Sequence, residues 1–120
     1  MKRTPHVLVV DDSMEIIKML RRGLSRHGFT IDSTTSSDEA LSRAEAGHYD
    51  AAVVDLVMPG RDGAALTAAL RQKIPGLPVI LLTGFTNSPL IEAAQRSGAT
   101  VFAKPVPIQE IVDFLRQEIG

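Results

Sequence analysis

Four short apolar runs constrain this chain most: Val7-Leu8-Val9-Val10, Ala51-Ala52-Val53-Val54, Val79-Ile80-Leu81-Leu82 and Val101-Phe102-Ala103, with a weaker fifth at Phe29-Thr30-Ile31. The four do not alternate polar with apolar residues, as strands do when they are buried on both faces of a parallel sheet. The stretches between them carry the helical period instead. Ile16, Leu20 and Leu24 share a face ahead of Gly28, which predicts a helix over about 13–27 ending on a glycine. Ser36 and Glu39 make a capping box before Leu41 and Ala44, and Gly47 stops that helix, about 36–46. A third helix fits about 63–73, before Pro75-Gly76, and a fourth opens on Ser88-Pro89 and closes at Gly98. Ile108, Ile111, Val112 and Leu115 place a fifth over about 107–119. Five strands alternating with five helices predict an α/β fold, a doubly wound five-stranded parallel sheet with helices on both faces.

Composition narrows the function classes. A length of 120 residues predicts one domain, 1–120, without room for an effector domain. Cysteine is absent, which excludes disulfides, thiolate metal sites and a thiol nucleophile. Basic and acidic residues number 13 and 14, with no long block of like charge, so a broad basic face for nucleic acid is not expected. No apolar run approaches the roughly 18 residues of a membrane span, and the chain reads as soluble and cytoplasmic.

The informative feature is what ends the strands. Asp11-Asp12 follows Val7-Leu8-Val9-Val10, Asp55 follows Ala51-Ala52-Val53-Val54, Thr83 follows Val79-Ile80-Leu81-Leu82 and Lys104 follows Val101-Phe102-Ala103. In an open parallel sheet all these carboxyl ends lie on one edge, where such folds bind ligands. Any single position has a plainer explanation, since a buried strand must end in something polar, and Asp12 or Ser13 caps the first helix. The acidic character at one end and the Thr and Lys at the other need more. Three carboxylates in one crevice repel by about 4 kcal/mol per pair at 4 Å and an effective dielectric near 20. Lys104 offsets part of that, and a hard divalent ion the rest. Mg²⁺ suits carboxylates and water, and shares its shell with phosphate. Thr83 and Lys104 are then donors for phosphoryl oxygens. Two carboxylates would fix the metal, leaving a third to attack phosphorus.

With Asp55-Leu56-Val57-Met58-Pro59-Gly60-Arg61-Asp62-Gly63, Leu82-Thr83-Gly84 and Phe102-Ala103-Lys104-Pro105 added to Val10-Asp11-Asp12, the chain resembles the receiver domain of two-component response regulators over nearly its whole length. The resemblance implies a flavodoxin-like sheet of order 2-1-3-4-5. It implies that Asp55 accepts a phosphoryl group from a sensor histidine kinase or histidine phosphotransferase. Asp11, Asp12, Asp55 and the backbone carbonyl of Val57 would hold Mg²⁺, Thr83 and Lys104 would bind phosphoryl oxygens, and Thr83 and Phe102 would form the switch. A cis Lys104-Pro105 bond and an output surface on helix four, strand five and helix five also follow from it. The expected partners are the kinase or phosphotransferase and a downstream protein or effector domain, in a monomer or weak phosphorylation-dependent dimer.

Departures from the commonest pattern are small. Val57 is apolar at a position that tunes phosphoryl lifetime, Gly84 leaves open space beside the acceptor, and Phe102 lacks a tyrosine's hydroxyl. Met14, Ile17 and Met19 flank the inward stripe of the first helix; they either pad its edge or, with Pro105, dock the kinase. Asp62-Gly63 reads as turn chemistry, with Gly63 relieving backbone strain. His6, His27 and His48 scatter near element ends and are not expected to act as ligands. A rival class, an enzyme or cofactor binder on the same fold, lacks its marks: Asp12-Ser13-Met14-Glu15 is no flavin phosphate loop, and an aspartate-nucleophile phosphatase of the haloacid dehalogenase type wants two aspartates two apart, not adjacent. The output stays open between a stand-alone receiver and a module cut from a larger regulator or hybrid kinase.

Overall fold

Each apolar run becomes a strand of one parallel sheet. A computed structural model describes residues 4–58, 61–84 and 89–119, without the side chains of Arg61 and Leu90. The elements follow as β1 (His6–Val10), α1 (Met14–Ser25), β2 (Thr30–Thr34), α2 (Ser37–Ala46), β3 (Ala51–Asp55), β4 (Val57–Met58), β5 (Arg61–Asp62), α3 (Gly63–Lys73), β6 (Val79–Thr83), α4 (Pro89–Arg96), β7 (Thr100–Ala103) and α5 (Ile108–Ile119). The sheet runs β2-β1-β3-β6-β7, every pairing parallel. That is the expected 2-1-3-4-5 once β4 and β5 are set aside. Those two form a separate antiparallel ribbon, with Val57 opposite Asp62 and Met58 opposite Arg61.

The sheet divides the core into two layers because successive strand side chains point to opposite faces. Leu8, Val10, Ala52, Val54, Val79 and Leu81 pack with Ala40 and Ala44 of α2 and Leu66 and Leu70 of α3. Val7, Val9, Val53, Ile80 and Leu82 pack with Leu20 and Leu24 of α1 and Ile111 and Leu115 of α5. Each such leucine removed from water contributes about 1.5–3 kcal/mol. On α4 only Ala94 is buried among the described side chains.

Helix starts follow the sequence closely. Ser13, rather than Asp12, caps α1, its Oγ accepting from Ile16 N at 3.4 Å. The Ser36 hydroxyl accepts from Glu39 N at 3.2 Å, one half of the capping box. Asp62 caps α3 through Ala65 N at 2.8 Å. Ser88, the expected cap of α4, lies outside the described residues. Gly28 and Gly98, expected at helix ends, have φ of 89° and 94°. The Lys104-Pro105 bond is cis.

Two expectations are corrected. The inward stripe of α1 is Ile17, Leu20 and Leu24, all buried, while Ile16 is only partly covered. Ile17 sits three residues before Leu20 and seven before Leu24, the spacing of one helix face, so it is a core residue and not part of a docking patch. Gly63 has no positive φ and relieves no backbone strain. It is a glycine because β3 and β6 approach it too closely for a side chain.

Candidate functional site

The parallel topology delivers the four strand-end signals to one edge. Asp11 follows β1, Asp55 closes β3, Thr83 closes β6 and Lys104 follows β7. The chain leaves β1 for β2 on one side and returns to β3 on the other, so strand order reverses between the two strands that carry the carboxylates. Carboxylate oxygens of Asp11, Asp12 and Asp55 lie within 4.8 Å of one another. Asp11 and Asp55 are buried, whereas Asp12 is exposed.

Each group is held separately. Ser13 N donates to Asp11 Oδ1 at 2.8 Å, and Val57 N donates to Asp55 Oδ1 at 3.4 Å. Lys104 Nζ reaches across to Asp55 Oδ1 at 3.4 Å and Asp11 Oδ2 at 3.8 Å. The backbone fixes that lysine, since Lys104 N donates to Thr83 O at 2.7 Å and extends the β6–β7 ladder past its last pair. Thr83 is buried beside it.

The electrostatics are those of an under-neutralised anion cluster. Burial raises the Asp11 carboxyl above its ordinary pKa, the Asp55 charge adds to the rise, and Ser13 N–H and Lys104 only partly oppose it. Burial likewise raises Asp55 against the pull of Lys104 and the Val57 N–H. Asp11 Oδ2 is buried without a hydrogen-bond partner. A buried carboxylate oxygen left unpaired is costly. Three converging hard oxygen donors, one of them buried without a hydrogen bond, fit a divalent cation such as Mg²⁺ or Ca²⁺.

The remaining expected residues surround this cluster rather than join it. Val57 is exposed at 46%, on the ribbon directly after β3. Met14 and Met19 are exposed at 54% and 47%, and Pro105 is exposed. Phe102 is half-buried on β7 and meets Phe114 edge-on, with ring centroids 6.2 Å apart at 79°.

The fold matches known proteins. The profile described as the response regulator receiver domain matches residues 7–116. The chain belongs to that family. This receiver domain is 35% identical over 118 residues to the C4-dicarboxylate transport transcriptional regulatory protein DctD of Rhizobium meliloti, covering 98% of the chain and 26% of that protein. It is 34% identical over 110 residues to the transcriptional regulatory protein PrrA of Mycobacterium bovis, covering 91% of the chain and 47% of the relative. It therefore spans less than half of either regulator. Among solved structures, a response regulator from Burkholderia pseudomallei with a phosphorylated aspartic acid, calcium ion and citrate is 30% identical, with a TM-score of 0.85 over 96% of this chain and 68% of that one. The signal receiver domain of an HD domain-containing protein from Pseudomonas fluorescens Pf-5 is also 30% identical, with a TM-score of 0.90 over 99% and 89%.

The receiver domain carries a second polar cluster that its sequence did not announce. Tyr49 OH donates to Asp32 Oδ2 at 2.8 Å, His6 Nε2 lies 3.0 Å from the same oxygen, and the His6 and Tyr49 rings stand 4.7 Å apart. His6 N donates to Asp50 Oδ2 at 2.8 Å. Burial pushes Asp32 up, but the Tyr49 hydrogen bond and the nearby His6 and Arg43 outweigh it and leave its pKa lowered. Asp32 sits in the weak second strand, where no pattern marked it as paired. Among the described residues, no helix is long and apolar enough to cross a membrane.

Proposed function

We propose that this chain is a phosphorylation-controlled signalling switch in which Asp55 is the acceptor. The observation that carries this reading is the convergence of Asp11, Asp12 and Asp55 beside Thr83 and Lys104, with Asp11 Oδ2 buried and without a hydrogen bond. An Asp55 carboxylate oxygen attacks the phosphorus of a phosphohistidine on a sensor kinase or phosphotransferase. The new O–P bond forms as the N–P bond breaks, and the released imidazole keeps the electron pair. Lys104 offsets charge on the incoming phosphoryl oxygens, and the Thr83 hydroxyl turns toward one of them. Asp11, Asp12, Asp55 and the Val57 carbonyl would hold Mg²⁺, which when bound supplies the positive charge that lets an anionic nucleophile meet an anionic phosphoryl group. The similar Burkholderia response regulator, solved with a phosphorylated aspartic acid and a calcium ion, supports the same chemistry here.

In this reading the domain catalyses only its own phosphorylation and hydrolysis. Thr83 moving toward the phosphoryl group vacates space that Phe102 fills, and the surface of α4, β7 and α5 changes. Met14, Met19 and Pro105 receive the kinase. DctD and PrrA are transcriptional regulators by name, and the proposed output is likewise a downstream protein or effector domain. The domain itself makes no nucleic-acid contact, works in the cytoplasm, and is a monomer or a weak dimer when phosphorylated. Acetyl phosphate with Mg²⁺ should add one phosphoryl mass to the wild-type chain and none to Asp55→Asn. Equal labelling of that variant would place the acceptor elsewhere.

A further inference from the structure

Chain geometry around the acceptor closes on itself. Leu56 leaves β3 with its N–H still on Leu82 O at 2.9 Å, the chain turns through the β4–β5 ribbon, and it returns at Gly63, whose N–H donates to Leu56 O at 2.6 Å. Leu56 and Gly63 are thus joined by one backbone hydrogen bond, which forms a neck. The returning end is tied down by hydrogen bonds. Asp62 caps α3 through Ala65 N, and the buried Thr67 hydroxyl donates to Gly63 O at 2.7 Å. No side chain fits at the neck. A Cβ on Gly63 would lie 2.8 Å from Asp55 O, 2.8 Å from Leu56 Cα and 2.6 Å from Leu81 Cδ2. The first two are backbone atoms of the acceptor strand's end, and Leu81 is fully buried, so none of the three can yield cheaply.

We infer that Gly63 is a positioning residue for the acceptor site: its missing side chain lets the start of α3 clasp the end of β3 and so sets where Asp55 and the Val57 carbonyl stand relative to Asp11. Asp11 is anchored independently, on β1 and by Ser13 N–H. Forcing the neck open therefore moves one part of the oxygen set against another. The proposal rests on the reading that this set holds Mg²⁺. Groups that orient metal ligands without touching the metal typically change affinity by about 10–100-fold when altered.

The test is Mg²⁺ titration of the unphosphorylated protein by calorimetry, with unfolding measured in EDTA. Gly63→Ala should weaken Mg²⁺ binding about tenfold or more. Leu70→Ala, a buried α3 change away from the neck, should lower stability while leaving Mg²⁺ affinity within about twofold. Gly63→Ala with wild-type affinity overturns the inference. If that variant does not fold, amide hydrogen exchange on the wild type decides: saturating Mg²⁺ should slow the Gly63 amide more than the Leu70 amide, and equal slowing overturns the inference. A wild-type chain that binds no Mg²⁺ would instead sink the functional reading beneath it.

Discussion

Replacing Asp11 by Asn isolates the cost of the buried anion, because the amide keeps the shape and the Oδ1 that accepts from Ser13 N. Three Coulomb contributions disappear together, of which the one from the exposed Asp12 is the smallest. Repulsion from Asp55, at no more than 4.8 Å, is about 3.5 kcal/mol at an effective dielectric near 20. Attraction to Lys104, at 3.8 Å, is about 4.4 kcal/mol on the same scale. They nearly cancel, and water around the partly exposed lysine weakens the attraction further. What remains is burial, with no hydrogen bond to Asp11 Oδ2, and its sign agrees with the raised pKa of Asp11: the folded site disfavours the charged form. Without metal, Asp11→Asn should thus be more stable than wild type by on the order of 1 kcal/mol, about 3–5 °C in Tm for a domain of this size. Mg²⁺ should reverse the order. At ten times its Kd the ion adds RT ln 11, about 1.4 kcal/mol, to wild type, while the variant gains little. Thermal unfolding followed by circular dichroism in EDTA and in Mg²⁺ reads both effects. A variant less stable than wild type in EDTA, or an equal Mg²⁺ increment in the two proteins, would refute the argument.

Two further outcomes separate packing from surface and charge from shape. Ile17→Ala should cost about 2–5 kcal/mol in urea unfolding, whereas Met19→Ala, two residues on but outward, should stay within about 0.5 kcal/mol. Comparable losses would contradict the burial pattern of α1. Tyr49→Phe removes a hydrogen bond worth about 0.5–1.5 kcal/mol from the Asp32 carboxylate. Because the folded pKa of Asp32 is lowered, that stability is present above the unfolded value near 3.9 and is lost as pH falls through the lower, folded one. The difference between wild type and Tyr49→Phe should be flat from about pH 5 to 8 and shrink below about pH 4. A gap that widens in acid would contradict the assignment.

The strands and helices were legible because burial on both faces leaves unbroken apolar runs, and because caps such as Ser36 and glycines such as Gly28 act locally. The convergence of Asp11, Asp55, Thr83 and Lys104 was legible for a topological reason: parallel strands share one carboxyl edge. What was misread needed longer-range information. Ile16 and Ile17 are adjacent isoleucines, and only the direction in which the sheet lies decides which of them faces inward. The β4–β5 ribbon has two-residue strands, too short to show a period. Gly63 looks like an ordinary turn glycine until β3 and β6 are placed beside it. The Asp32–Tyr49–His6 cluster joins residues from β1, β2 and the segment before β3, and no spacing along the chain links them.

Among its described side chains α4 is thinly anchored, and that sets an energy scale for change. Where α1 and α5 each commit three buried apolar side chains to the core, the described part of α4 commits one alanine, with Ile91 and Ala93 only partly covered. An element held this way should open at a small fraction of the global unfolding free energy, and its amides should exchange with solvent before those of the central strands. Displacing it costs little work. A chemical event at the sheet edge that supplies only a few kcal/mol can then redistribute the α4 side of the molecule while the two core layers stay intact.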